Sequence, residues 1–360
     1  MRTIAAVVGL LLLSLLAACA DARYYLQSVT GHLELMREAR PVEQWLADGK
    51  VDPVLKRRLA LARKIREFAV TELKLPDNAS YRSYAELQRR AAVWNVVAAP
   101  EFSLELKSWC FAVVGCVAYR GYFDETEARA EGQALQAEGL EVSVYAVPAY
   151  STLGWLNWLG GDPLLSTFIR YPEGELARMI FHELAHQVVY AADDTPFNES
   201  FATAVERLGA ERWLATRSSE SARKEYAEFD ARRRQLRALS LATRLRLTRI
   251  YAAAEASKLD RKTVLAMKSA AMQEFRDDYA RLKSSWGGYS AYDAWVASAN
   301  NASFGAQAVY DQLVPAFEAL FAREGGDWQR FYDAVRRLAQ MPAAARIPTL
   351  KSIAMERASG

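Results

Sequence analysis

The pattern of hydrophobic and polar positions divides the chain into helical regions on either side of one stretch rich in strands. Residues 24 to 92 have a helical pattern, interrupted at Arg40-Pro41, at Gly49 to Pro53 and in the LPDN turn at 75 to 78. Proline and glycine at such positions commonly end helices. The pattern predicts an N-terminal helical region over residues 19–92.

Strand-like segments are concentrated in the middle of the chain. VWNVVAA (93–99), WCFAVVGCVAYRGYF (109–123) and LEVSVYAV (140–147) are rich in β-branched and aromatic residues, which favour strands. A helical pattern over residues 124–139 lies between the last two segments. The prediction is a small mixed sheet of about three or four strands, followed by a loop rich in glycine and tryptophan over residues 149–163.

From residue 197 to the end, the pattern is almost wholly helical. One apolar stripe follows a long helix and consists of Tyr226, Phe229, Leu236, Leu239, Leu247 and Ile250. A second helix, from Arg261 to Trp286, is expected to return against it. The long helix also carries seven arginines, which we interpret as a solvated face rather than a surface for anionic lipid: Arg232, Arg233, Arg234, Arg237, Arg244, Arg246 and Arg249.

Composition limits the possible partners. The chain has 360 residues, of which 51% are hydrophobic and 25% charged, as in a globular protein with a sizeable core. The formal net charge of +3 is too small to indicate a nucleic-acid-binding surface, which is usually strongly basic. We therefore expect no nucleic acid as a partner.

The N-terminus has the features of a secretory signal. Arg2 supplies a short positive region, and Ile4 to Leu16 form an apolar run with one serine. This run is shorter than the roughly 20 apolar residues that span a membrane. Residues 1–18 are therefore predicted to be removed from the mature protein.

The residues around the predicted cleavage site resemble the bacterial lipobox. Leu16-Ala17-Ala18-Cys19 would be cut before the cysteine, and Cys19 would then carry lipid. The alternative is a soluble-type site at Ala18-Cys19-Ala20, which releases a chain beginning at Asp21. The lipobox is favoured because it uses all four positions. In lipoproteins of this kind, a residue such as Ala20 in place of an aspartate after the cysteine indicates the outer membrane, facing the periplasm.

Two cysteines remain after Cys19, namely Cys110 and Cys116. An even pair in an exported protein favours a disulfide bond, here one that closes a tight hairpin. Two buried free thiols are the alternative. A thiol metal site would need two more ligands nearby, and the segment WCFAVVGC offers none.

The segment HELAH carries two of the three histidines, His182 and His186, with Glu183 beside the first. Chance gives this arrangement in about one of eight hundred sequences of this composition. On a helix, a separation of four residues places both imidazoles on one face, about 6 Å apart along the axis, which suits two positions of a tetrahedral Zn²⁺. Glu183 lies about 100° around the helix, where it can reach a zinc-activated water without ligating the metal.

A catalytic zinc usually has a third protein ligand, and Glu199 is the best candidate. It lies thirteen residues after His186, beyond the turn-like segment 193–196, at the start of the next predicted helix. The alternative role for Glu199 is an acid favoured by the dipole at a helix N-terminus. The third histidine, His32, is expected to be a packed or surface residue.

Further side chains are predicted around this site. Glu206 projects from the same helix face as Glu199 and could accept a hydrogen bond from a liganding imidazole. Asn198 is assigned to the same supporting shell. If a zinc-activated water attacks a carbonyl group, the oxyanion that forms requires a hydrogen-bond donor besides the metal, for which Tyr150 is the first candidate. The alternatives are Tyr289 and Tyr292.

Several segments resemble a known family. NESFATAVE (198–206) is similar to the second metal-binding segment of the zincin peptidases that use a glutamate as third ligand, whose aminopeptidase branch reads Asn-Glu-Gly-Phe-Ala here. Together with LPDNASY (75–81), AYSTLGW (149–155), DPLLST (162–167) and FHELAHQ (181–187), it resembles a family of predicted bacterial aminopeptidases. The resemblance extends over almost the entire mature chain.

The resemblance implies that His182, His186 and Glu199 hold one Zn²⁺ and that Glu183 is the catalytic acid and base. Two features differ from the better-known aminopeptidases of this type. The interval of twelve residues between the second histidine and the glutamate is shorter. The chain also lacks the Gly-Ala-Met-Glu-Asn segment that holds the free amine of the substrate there.

The predicted fold class is α+β, mostly α and zincin-like. A small mixed sheet is expected to pack on the active-site helix within a catalytic core over residues 93–215. A helical C-terminal region with a long helical hairpin is expected over residues 216–360.

The predicted function is hydrolysis of peptide bonds in the cell envelope by zinc-activated water, with Glu183 moving the proton. An aminopeptidase is favoured. The alternatives are a zinc endopeptidase or maturation protease with the same site, and a non-catalytic envelope lipoprotein that binds a partner through its helical region. The expected partners are a peptide substrate and, through lipid on Cys19, the membrane.

Overall fold

The computed structural model describes residues 24–111, 115–152, 160–311 and 313–358. Helices dominate, and the strands form small sheets. The predicted signal peptide and Cys19 lie outside the described residues. In the ranges given above, no helix combines the length and the apolarity that crossing a membrane requires.

The N-terminal region begins with helices. Its first elements are α1 (24–38), β1 (Arg40–Pro41), α2 (Val42–Ala47) and α3 (Pro53–Thr71). Asp52 caps α3 by accepting a hydrogen bond from the backbone N–H of Val54 (3.0 Å), and Pro53 has the fixed φ that suits a first helical turn. The first two predicted breaks therefore coincide with helix boundaries.

Residues 72–92 contain no helix beyond the end of α3, so the predicted helical region is wrong for this stretch. Lys74 and Tyr81 have positive φ angles of 55° and 63°, which are incompatible with an α-helix. The buried guanidinium of Arg66 holds the turn by donating hydrogen bonds to three carbonyl oxygens, those of Pro76, Asn78 and Ser80. One short strand, β2 (Ser83–Ala85), follows.

The central sheet contains β3 (Val93–Pro100), β6 (Arg120–Tyr122) and β7 (Leu140–Val147), in the order β6-β3-β7. β3 pairs with β7 along its whole length, from Val93 opposite Val147 to the other end. Both pairings are antiparallel, so this sheet is wholly antiparallel rather than mixed.

Alternate side chains of β3 face two different helical layers. Trp94 and Val96 pack with α4 (Glu125–Ala137), whereas Val97 packs with α10 (Asn301–Asp311). The prediction that this sheet packs on the HELAH helix is wrong, because α4 and α10 occupy its two faces.

The remaining strands form two smaller units. β8 (Leu164–Leu165) pairs parallel to β2, and β2 pairs antiparallel to β1, which makes a mixed sheet. β4 (Trp109–Phe111) and β5 (Gly115–Val117) form an antiparallel hairpin. Cys110 and Cys116 lie opposite each other in this hairpin and form a disulfide bond.

The largest hydrophobic core of the described chain surrounds α5 (Glu173–Ala185) and α6 (Thr195–Arg217). α5 packs most extensively on α6 and also contacts α3 and α7 (Glu220–Ala256). Ile180 and Phe181 of α5 are fully buried. Residues of β2 and β8 belong to the same core, so the mixed sheet adjoins the HELAH helix.

The C-terminal region is helical, as predicted. α7 and α8 (Arg261–Ser285) form the long hairpin, in which Leu236 and Leu247 pack with Phe275. α8 matches the predicted second helix to within one residue. The later helices are α9 (Asp293–Ser298), α10, α11 (Val314–Arg323), α12 (Trp328–Ala339) and α13 (Ala343–Ala358).

Candidate metal centre

α5 and α6 bring His182, His186 and Glu199 together. The Nε2 atoms of the two imidazoles are 3.1 Å apart. Oε2 of Glu199 lies 3.4 Å from Nε2 of His182 and 3.6 Å from Nε2 of His186. Two imidazole nitrogens and a carboxylate oxygen form a donor set that suits zinc. The three residues could therefore hold a metal ion.

The end of α5 explains why both imidazoles point to one place. The helix ends at Ala185, but His186 keeps helical angles (φ −58°, ψ −22°). Its backbone N–H donates to the carbonyl oxygen of His182 (3.3 Å). The spacing of four residues therefore directs the two side chains to the same side of the helix.

The turn between the helices is held by Asp194 and Asn198. The carboxylate of Asp194 accepts a hydrogen bond from the backbone N–H of Phe197 (3.1 Å) and caps α6. The side-chain amide of Asn198 exchanges two hydrogen bonds of 2.8 Å with the backbone of Ala191. Asn198, predicted to support the ligands, therefore shapes the turn that carries Glu199 and does not act on an imidazole directly.

Glu206 lies at the other nitrogen of His182. Its Oε2 is 3.0 Å from Nδ1 of His182, and its Oε1 accepts a hydrogen bond from the buried guanidinium of Arg178. A carboxylate at Nδ1 favours the tautomer that carries its proton there, which leaves the lone pair of Nε2 for a metal. The geometry of Glu206 thus fits its predicted supporting role.

The ionisable groups of the site act strongly on one another. Burial by itself would raise the pKa of Glu199, but the charge of His186 and hydrogen bonds from both imidazoles lower that pKa to about 2. Burial would lower the pKa of His182, yet hydrogen bonds with Glu199 and Glu206 raise it well above its usual value. Two buried carboxylates therefore favour positive charge here. A divalent cation meets the same requirement, so the residues fit a metal ion.

Glu183 follows His182 on α5 and is half-buried. Its negative charge acts on two tyrosines. Burial raises the pKa of Tyr81, and Glu183 raises it further. Burial also raises the pKa of Tyr119, to which the charges of Glu199 and then Glu183 add. Tyr119 therefore lies within electrostatic reach of both the proposed ligand and the predicted acid and base.

The tyrosines predicted as oxyanion donors pack against other aromatic rings. The ring of Tyr150 contacts those of Phe123 and His32, with centroids 5.0 and 5.7 Å apart, and burial followed by the charge of Asp162 raises the pKa of Tyr150. The two alternatives, Tyr289 and Tyr292, pack against Trp286 at the end of α8.

Tyr119 and Tyr190 are the tyrosines that respond to the charge of Glu199. Reasoning from the sequence missed both, because the chain has 17 tyrosines and neither belongs to a motif. The one available signal is position: Tyr190 follows the HELAH segment closely, and Tyr119 follows the cysteine pair.

The disulfide hairpin is tied to the loop between α5 and α6. Oδ1 of Asp193 accepts a hydrogen bond from the backbone N–H of Cys116 (2.7 Å). Gly115 has a φ of 74°, and a Cβ at this position would lie 2.3 Å from the Asp193 carboxylate, so the close approach requires glycine. The hairpin thereby fixes the start of the segment that carries Tyr119.

A polar cluster lies behind the end of the HELAH helix. Asn78 donates to the side-chain oxygen of Gln187 (2.6 Å), and Gln187 donates to Oγ of Ser80 (3.1 Å). The same Oγ accepts from the backbone N–H of Asp162 (3.2 Å). Burial raises the pKa of Asp162 to about 6, against the hydrogen bonds from Thr152 that lower it. Four of the segments on which the family resemblance rests therefore contribute to this cluster, namely LPDNASY, AYSTLGW, DPLLST and FHELAHQ.

Comparison with known proteins identifies a family for this chain. A family model described as "Putative aminopeptidase" matches residues 23–350. No curated protein and no solved structure matches the chain significantly. The matched range includes α5, α6 and the polar cluster behind them. The chain therefore belongs to this aminopeptidase family.

Proposed function

We propose that the protein is a zinc-dependent peptidase that acts on the amino termini of peptides in the cell envelope. The observation that carries the proposal is the convergence of the ligand atoms of His182, His186 and Glu199 within 4.8 Å of one another. Membership of an aminopeptidase family supports a peptide as the substrate. The missing Gly-Ala-Met-Glu-Asn segment leaves the capture of the substrate amine to residues that differ from those of the better-known enzymes.

In this proposal, His182, His186 and Glu199 hold one Zn²⁺. The ion supplies a Lewis acid that lowers the pKa of water and polarises the scissile carbonyl group. Glu183 accepts the proton of the attacking water and delivers it to the nitrogen of the leaving amine as the C–N bond breaks. Its place directly after His182 on α5 supports this role, because a neighbouring helical position reaches the reacting atoms without ligating the metal.

Tyr119 is the donor that we propose for the oxyanion, in place of Tyr150. The charges of Glu199 and Glu183 both raise its pKa, so its phenol lies within electrostatic reach of the proposed ligand and of the proposed acid and base. The residue is half-buried, so part of its surface is exposed. A phenol O–H directed at developing negative charge stabilises the transition state more than the ground state.

The proposed location is the outer membrane facing the periplasm, with lipid on Cys19. The predicted signal and the lipobox support this location. A disulfide bond between Cys110 and Cys116 is compatible with an oxidising compartment.

The experiment that tests the proposal compares matched peptides with free and acetylated amino termini, using the zinc-loaded mature chain and the Glu183→Gln variant. We expect the wild type to release single residues from free termini only. Internal cleavage of acetylated peptides would show that the protein is an endopeptidase or maturation protease rather than an aminopeptidase. Equal activity of wild type and Glu183→Gln would overturn the catalytic proposal altogether.

A further inference from the structure

A row of alternating charges extends from the candidate metal centre to α7. Glu206 contacts His182 at one oxygen and the guanidinium of Arg178 at the other. Nη1 of Arg178 lies 3.5 Å from Oε1 of Glu175. Nη1 of Arg233, on α7, lies 2.8 Å from both carboxylate oxygens of Glu175. Acid and base therefore alternate without interruption from His182 to α7.

Three of these groups lie on one face of α5. Glu175, Arg178 and His182 are three and four residues apart, which is the spacing of neighbours on a helix surface. The side chains of Arg178, Glu175 and Arg233 are only 6%, 15% and 14% exposed. Shielding from water strengthens the interactions between their charges relative to exposed pairs. Arg233 thus departs from the solvated face expected for the arginines of the long helix.

α7 approaches α5 closely at the same place. A Cβ at Gly174 would lie 2.3 Å from the ring of Tyr226, so the aromatic ring of α7 packs directly on the backbone at the start of α5. Arg233 also pairs with Asp230 one turn earlier on α7. The guanidinium that reaches Glu175 is therefore held by its own helix.

We propose that Arg178 and Arg233 are positioning residues, through which the C-terminal helical region fixes the carboxylate of Glu206 and hence the imidazole of His182. This inference rests on the proposed function, because the orientation of His182 matters for binding zinc. A carboxylate with one oxygen on an imidazole is free to rotate about its side-chain bonds unless the other oxygen is held. Arg178 holds that oxygen, and Glu175 with Arg233 restricts Arg178.

The expected effect decreases with distance from the metal. Loss of a group that orients a liganding histidine typically weakens metal binding by about 10 to 100-fold. Arg178→Met should lie in that range. Arg233→Met should weaken zinc binding by about 3 to 10-fold, since Arg178 keeps its direct contact with Glu206. Arg246→Met is the matched control, because Arg246 also lies on α7 but is 48% exposed, and its ion pair is with Glu274 of α8, outside this row.

The experiment measures zinc affinity by chelator competition, together with the visible spectrum of the cobalt-loaded chain and the thermal midpoint of the metal-free chain. We expect weaker zinc binding and an altered cobalt spectrum for Arg178→Met and Arg233→Met, and wild-type zinc affinity and cobalt spectrum for Arg246→Met. Arg178→Lys and Arg233→Lys keep the charge and should recover part of the affinity. They also provide folded variants if a methionine variant fails to fold.

One pattern of results would overturn the inference while the proposed function stands. The wild type would bind one zinc, and the arginine variants would show a lower thermal midpoint with unchanged zinc affinity and cobalt spectrum. The arginines would then be structural braces only. A wild-type chain that binds no stoichiometric zinc would overturn the proposed function, and the inference with it.

Discussion

Two buried polar regions meet at the HELAH helix, and they stabilise charge in different ways. Between α5 and α6, ionised side chains face other ionised side chains. His182, for example, faces Glu199 and Glu206. Behind the helix, the guanidinium of Arg66 is bound mainly by backbone carbonyls, and the carboxyl of Asp162 by a backbone amide and a hydroxyl.

The kind of partner distinguishes the two regions: the first can bind a cation or transfer a proton, whereas the second stabilises the conformation of a turn. Groups that face neutral backbone dipoles have a single stable arrangement, which fixes the local conformation. Groups that face opposite charges can exchange a proton or accept a cation at a common point. We therefore expect changes in the first region to affect metal and catalysis, and changes in the second to affect folding.

The largest expected effect belongs to Glu183. Glu183→Gln keeps the size of the side chain but cannot accept a proton, so activity should fall by about 10³-fold or more, within the range of general acid and base catalysis. Zinc content and unfolding free energy should stay near wild type. The matched control is Glu211→Gln, an exposed acid on α6. A comparable loss in the control would show that the assay responds to charge in general.

Arg66 tests the second region. Arg66→Met removes a donor from three carbonyl oxygens of the turn, one of which, that of Asn78, keeps another donor, the side chain of Arg82. We expect the free energy of unfolding to fall by about 3 kcal/mol. Arg63→Met is the control, because Arg63 is 54% exposed and its ion pair with Glu43 is loose, at 3.8 Å. Its effect should stay within about 0.5 kcal/mol. Urea unfolding measures both. A variant of Arg66 with full stability but no zinc would reverse the assignment of the two regions.

Asp162, in the second region, should make the stability of the fold depend on pH. Folding raises the pKa of its carboxyl from 3.8 to about 6, so the folded chain binds this proton more tightly than the unfolded chain. The resulting stabilisation is present below about pH 4 and is lost as the pH rises through 6. Asp162→Asn resembles the protonated form. Its stability relative to wild type should therefore increase by up to about 3 kcal/mol between pH 4 and 7.

Urea titrations of Asp162→Asn and wild type at a series of pH values would measure this difference. The contributions of the other ionisable groups largely cancel in the comparison. A difference that is constant over this pH range would show that Asp162 titrates in the folded chain as it does in the unfolded chain.

The disulfide bond gives the smallest of these effects. Cys110 and Cys116 close a loop of only a few residues, so replacing both by serine should lower the free energy of unfolding by about 2 kcal/mol. We expect activity to fall as well, because the hairpin is bound to Asp193 and leads into Tyr119. Full activity in a folded double variant would show that catalysis does not depend on the disulfide hairpin.

The sequence was most informative where a local pattern determines the geometry. The spacing of His182 and His186 predicts their shared helix face, and the turn before α6 predicts that Glu199 can approach them. α4 and α8 follow from periodicity alone, and the structure confirms both helices.

The contacts that depend on distant segments could not be predicted in this way. The turn at 72–92 takes its shape from the buried Arg66 and from positive φ angles, neither of which a helical pattern reveals. The contact between Arg233 and Glu175 depends on how α7 docks on α5, so the sequence showed only a row of arginines. Tyr119 likewise comes within electrostatic reach of Glu199 through tertiary packing.

The most direct test of the central claim is the zinc content of the purified mature chain, measured for the wild type, Glu199→Gln and Glu183→Gln. We predict one zinc per chain in the wild type and in Glu183→Gln, and loss of tight binding in Glu199→Gln, because Glu199 is a proposed ligand of the metal and Glu183 is not. A wild-type chain without stoichiometric zinc would contradict the account. So would a Glu199→Gln variant that binds zinc as tightly as the wild type.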